Sequence, residues 1–138
     1  MMTKTLMIVA ALAAINWVVI LLASLLRSRA WTPAGMLAAF GNREHMPEAQ
    51  DFAGRTERAG RNMLENMVLF TALVLVATVG GVADPHVELG ARVFYWARIV
   101  YIAVYMAGIP YLRTAVWSVS VVGMGMILWA ILGAAPPL

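Results

Sequence analysis

From Thr5 to Leu26 the chain runs TLMIVAALAAINWVVILLASLL, broken only by Asn16 and Ser24. Wound as a helix at about 1.5 Å per residue, this run is about 33 Å long, enough to cross the hydrocarbon core of a bilayer. The 138 residues give room for about four such spans, at roughly 20 helical residues each, and for no separate soluble domain. Composition agrees: 62% of residues are hydrophobic, 12% are charged and the mean hydropathy is +0.80. The sequence therefore reads as an all-α integral membrane protein, a bundle of four transmembrane helices in one domain over residues 1–138. Lys4 and the small residues behind it have some signal-peptide character. The run nevertheless exceeds the roughly 7–15 apolar residues of a signal peptide and lacks a convincing cleavage site, so it is read as an uncleaved span.

Four helices are expected over about 5–26, 55–82, 89–109 and 114–132, with a polar connection over 27–54. Within that connection, Thr32-Pro33 is a helix start and Gly41-Asn42 a stop, which predicts a short helix from about Pro33 to Phe40. Met67 to Val79 is too short to span alone, so its helix must begin near Arg55 and draw polar turns into the interior. Gly80-Gly81 and Asp84-Pro85 end it, and Pro110 reads as a terminator or kink after the third span. Gly123 and Gly125 permit close helix approach in the fourth, and the tail GAAPPL cannot continue a helix.

Charge fixes orientation. Arg27, Arg29, Arg43, Arg55, Arg58 and Arg61 lie in or beside the first connection and Arg113 in the last, against Lys4 and Arg92 on the opposite side. Both termini are thus placed on the non-cytoplasmic face. The net charge of +3 is small, and the basic residues lack interleaved aromatics, which excludes nucleic acid as a partner. There is no cysteine, so thiol chemistry must use a substrate's sulfur. His45 and His86 fall on opposite sides without acidic partners at ligand spacing, so no metal site is expected. The ten methionines read as packing residues.

The unusual polar residues converge. Arg58, Asn62 and Glu65 recur at helical spacing, with Arg61 one turn before Glu65, and together they form one polar face. Arginines snorkelling to lipid phosphates, with an Arg61–Glu65 pair, would explain the cations but not Asn62, Glu65 and Asn66 at the edge of an apolar segment. Arg98 sits about nine residues from either end of the third span, with Tyr101 and Tyr105 on its face. Such an arginine must turn inward and find a partner, and Glu65 is the candidate, either within a ligand site or as a purely structural pair. Arg113 and Thr114 open the fourth helix on the same side of the membrane as Arg58, Arg61 and Asn62.

Read together, GRTERAGRNMLENMVLF and ARIVYIAVYMAGIPYLRT resemble the MAPEG family, the membrane-associated proteins of eicosanoid and glutathione metabolism, and in particular its small bacterial members. The likeness runs from GNREHMPE through Trp117. It implies a homotrimer of four-helix subunits with glutathione as co-substrate, bound between neighbours near the cytoplasmic side. It assigns Arg58, Arg61, Asn62, Glu65, Arg98, Tyr101 and Tyr105 to the glutathione site or its support, and it matches Arg27 weakly to a first-helix arginine. Arg113 and Thr114 match the arginine–serine pair that activates the thiol in a prostaglandin E synthase of the family. Tyr101 stands where that enzyme has histidine, Thr114 replaces serine, and the stretch from Arg98 to Arg113 is one residue shorter.

Glutathione carries two carboxylates and an ammonium, so its site needs arginine forks and an acid or amide. Its thiol, with a pKa of about 8.5, needs a cation nearby to become a thiolate at neutral pH. Arg113 is assigned that role, with Thr114 donating a hydrogen bond to sulfur. A cleft open to lipid would admit lipophilic substrates from the membrane. The resemblance thus implies a glutathione-dependent transferase or peroxidase for detoxification in a bacterial inner membrane. The alternatives are a non-enzymatic member that binds lipid or a partner protein, and a small four-helix exporter. The exporter is disfavoured because the first span holds Asn16 where such proteins carry an acid.

Overall fold

The computed structural model describes residues 3–42, 46 and 48–135. Arg43 and His45, which entered the orientation and metal readings, lie outside the described residues, as does the end of the GAAPPL tail. Among the described residues five helices follow one another: α1 (Lys4–Ser28), α2 (Pro33–Phe40), α3 (Asp51–Val79), α4 (Pro85–Ala107) and α5 (Pro110–Ala134).

Local chemistry explains their ends. Thr3 caps α1 by accepting from the Leu6 amide, and Arg29 ends it in the left-handed conformation at φ 51°. Thr32 accepts from the Gly35 amide at 3.0 Å to start α2, and Gly41 closes it by donating to the Leu37 carbonyl. α3 begins at Asp51, sixteen residues before its apolar run opens at Met67, so the polar turns in between are helical. Asp84 caps α4 and Pro85 occupies its first turn. The Asp84 carboxyl is held below the ordinary carboxylate range, chiefly by the His86 backbone N–H.

Pro110 corrects the sequence reading. It sits in the first turn of α5, where a missing N–H costs nothing, and it is Gly108, at φ 79°, that ends α4. The fourth long helix therefore opens at Pro110 and not near Thr114, leaving Arg113 and Thr114 within its first turns.

α1, α3 and α5 are long and apolar enough to cross a membrane. Their outward faces are apolar, with Trp17, Val18, Val68, Leu69, Val122 and Trp129 all exposed. α4 is nearly as long but carries Glu88, Arg92 and Arg98. The core gathers Leu12, Met63, Phe70, Val74, Phe94 and Ile127, with the Phe70 and Phe94 rings stacked at 4.1 Å. α4 and α5 meet backbone to backbone. A Cβ on Gly123 would lie 2.7 Å from the Gly90 carbonyl oxygen, and one on Gly90 would lie 2.5 Å from that of Gly123. Gly125, read from sequence as part of this approach, instead has open space where its Cβ would be.

Candidate functional site

The site grows from Arg98, which is fully buried in the middle of α4. Its Nη2 donates to Asn62 Oδ1 at 2.9 Å and its Nε to Met63 Sδ at 3.2 Å, both on α3. Its guanidinium carbon lies 4.3 Å from the centre of the Tyr101 ring. Nη1 is buried with no hydrogen-bond partner among the described residues. Asn62 is itself held from the next turn, because Asn66 Nδ2 donates to the Asn62 carbonyl at 2.8 Å and more loosely to Oδ1 at 3.4 Å.

Glu65 is therefore not the partner of Arg98. It is exposed on α3 and makes no ion pair with the buried guanidinium. An amide, a thioether and an aromatic ring stand where a carboxylate was expected, and none of them neutralises the guanidinium charge. Arg61 likewise does not pair forward with Glu65. It reaches back one turn, its Nη2 lying 3.5 Å from Glu57 Oε1.

From Arg98 a run of aromatic and cationic groups leads to the start of α5. Tyr101 is buried, and its ring meets that of the half-buried Tyr105 edge-on at 5.5 Å. The Arg113 guanidinium carbon lies 4.7 Å from the Tyr105 ring centre. Asn66, Asn62, Arg98, Tyr101, Tyr105 and Arg113 thus form one continuous chain of contacts across α3, α4 and α5. Arg58, Arg61 and Thr114 are brought to the same end of the bundle but lie exposed on the subunit surface. Thr114 spends its hydroxyl on its own helix, donating to the Pro110 carbonyl at 3.4 Å.

Two residues escaped the sequence reading. Glu57 accepts from Arg27 Nη1 of α1 at 3.3 Å on both oxygens as well as facing Arg61. Its spacing four residues before Arg61 was the available signal. With Ile20, Ala23, Ser24, Arg27 and Met46 it lines a cavity of about 270 Å³ between α1 and α3. Arg55, counted only for orientation, donates from Nε to the Met106 carbonyl at 2.9 Å and so satisfies a free carbonyl at the end of α4.

No group of His, Asp or Glu among the described residues has an arrangement that would hold a metal ion. A family model described as the MAPEG family matches residues 5–133. No curated protein and no solved structure matches the chain.

Proposed function

Because the chain belongs to the MAPEG family, we propose that it is a membrane-bound, glutathione-dependent transferase or peroxidase acting on lipophilic electrophiles. It is an integral membrane protein, and in this reading it sits in a bacterial inner membrane with both termini on the non-cytoplasmic side. α4 crosses as the fourth span: Glu88 and Arg92 lie near its first turns, Arg98 is buried, and Leu89, Trp96 and Val100 give it an apolar outer face. The subunit works as a homotrimer with glutathione between neighbours. Exposure of Arg58, Arg61 and Glu65 on the single chain supports this, since a second subunit would close the cleft over them.

The roles follow from the chemistry of the groups. Arg58 and Arg61 hold glutathione carboxylates through charge-assisted hydrogen bonds, and Asn62 and Glu65 meet other polar groups of the peptide. Arg98 fixes the Asn62 amide, and the tyrosines form the wall between it and Arg113. Arg113 stabilises the thiolate, whose sulfur then attacks the electrophile. Thr114 turns its hydroxyl from the Pro110 carbonyl to the sulfur. The observation that carries this reading is the buried Arg98 guanidinium with no carboxylate against it, at the head of a contact chain ending on Arg113.

Titration of the purified protein with glutathione, followed by thiolate absorbance at about 240 nm, tests it. Absorbance should grow to saturation at neutral pH in the wild type and be lost in Arg113→Ala. Binding with no thiolate signal would remove the proposed activation, and absence of binding would remove glutathione as the co-substrate.

A further inference from the structure

α2 reads PAGMLAAF, without one polar side chain, and of its residues only Gly35 is buried. Leu37 is 78% and Phe40 89% exposed, with Met36 beside them, and the three fall within about 100° of arc on one face. Trp31, just ahead of the helix, is exposed as well. An apolar face of this kind marks a surface that meets something other than water. The helix is nevertheless firmly seated. The Thr32 amide and hydroxyl both donate to the Arg29 carbonyl, at 2.9 and 3.0 Å. Gly35 packs so closely on the end of α1 that a Cβ there would lie 2.1 Å from the Arg29 carbonyl oxygen and 2.3 Å from that of Ser28. Turning the apolar face inward would break this seat.

The seat also fixes the depth of α2. The 25 residues of α1 rise about 37 Å, against about 30 Å of hydrocarbon, so its last turn, with Arg27 and the exposed Arg29 after it, stands among lipid headgroups. α2 abuts that turn and lies at the same level, and no charged residue occurs from Ala30 to Asn42 to draw it into water. We propose that α2 and Trp31 form an interfacial anchor, with Met36, Leu37 and Phe40 inserted among the headgroups against the upper acyl chains. The occupant of this face is lipid and not a second copy of the chain, because α1 already exposes Val18, Leu21 and Leu25 along its length up to the turn on which α2 is seated. The apolar surface is thus continuous from the span to the anchor. The inference uses only the membrane character of the chain and is independent of glutathione.

The chain has no cysteine, so a single one can carry a nitroxide label. Leu37→Cys and Phe40→Cys, each in the full-length protein in vesicles of phosphatidylcholine and phosphatidylglycerol, are read by electron paramagnetic resonance. The readout is the rate of collision with oxygen, which concentrates in lipid, relative to that with a nickel chelate, which stays in water. Val18→Cys supplies the lipid-facing reference and unattached label in buffer the aqueous one. The oxygen-to-nickel ratio at both positions should lie several-fold above the aqueous reference, toward that of Val18→Cys. A ratio at the aqueous value puts α2 in water and overturns the proposal. Shielding from both reagents, with dipolar broadening between labels, puts a second copy on the face and overturns it equally. Should a labelled variant not assemble, the unlabelled protein answers through Trp31, whose emission is the difference between wild type and Trp31→Phe. Phosphatidylcholine brominated near the top of its acyl chains should quench that emission, and an unquenched Trp31 overturns the anchor.

Discussion

Replacing Asn62 by leucine should destabilise the protein more than removing Arg98 itself. Among the described residues, Asn62 Oδ1 is the one oxygen that the buried Arg98 guanidinium reaches, at 2.9 Å, its other hydrogen bond going to the Met63 thioether. A hydrogen bond to a charged group contributes about 1.5–3 kcal/mol, and stranding a buried charge raises the loss toward about 3–5 kcal/mol. Asn66 keeps its 2.8 Å bond to the Asn62 backbone carbonyl in the leucine variant, so the loss falls mainly on Arg98. Arg98→Met removes the charge along with the need to satisfy it. Asn62 Oδ1 then still has Asn66 Nδ2 at 3.4 Å, and replacing buried ionic groups by apolar ones of similar size is often close to neutral. We expect Asn62→Leu to cost about 3 kcal/mol, Arg98→Met about 1 kcal/mol, and the double variant little more than Arg98→Met alone. That leaves a coupling of about 3 kcal/mol, measurable by denaturant unfolding of the purified protein in mixed micelles. Additive losses, or an Arg98→Met variant as unstable as Asn62→Leu, would refute the argument that the guanidinium depends on this amide.

Alanine at Arg58 or Arg61 should weaken glutathione binding about tenfold each by calorimetry, with the oligomer intact by light scattering. Unchanged affinity in both would take the α3 face out of the site. Arg113→Ala should depress turnover strongly while leaving glutathione affinity within a few-fold, raise the bound thiol's apparent pKa toward about 8.5, and be rescued only in part by lysine. If turnover and the pH dependence of thiolate absorbance both stay at wild-type values, Arg113 serves only at the membrane surface. Gly123→Ala should cost about 1–3 kcal/mol because the new methyl meets the Gly90 carbonyl, whereas Gly125→Ala should be nearly neutral. Equal thermal shifts in the two would contradict the close backbone approach of α4 and α5.

What could be read in the sequence was local. The Thr32-Pro33 and Gly41 signals delimit α2 because capping is a contact between near neighbours. The same logic misled at Pro110, since proline is compatible with the end of one helix and the start of the next, and Gly108 decides between them. Helical spacing put Asn62, Arg98, Tyr101 and Tyr105 on inward or half-inward faces, yet could not say what Arg98 touches. Period assigns a direction around an axis; the depth at which another helix delivers a side chain depends on how the two pack. Hence Asn62 and Met63 stand where Glu65 was expected. Glu57 was passed over for a related reason, because half of its role lies with Arg27 on another helix.

The joint between α4 and α5 consists of Gly108 and Ile109 alone, with Arg55 gripping the Met106 carbonyl just before it. One residue more or fewer there, taken up as helical register by α5, would turn its side chains by about 100° around the axis and move them by about 1.5 Å along it. Arg113 would leave the Tyr105 ring, and the Gly123 seam against Gly90 would open at the same stroke. This joint therefore acts as a gear tooth: it sets the phase between a packing seam and a guanidinium several turns away.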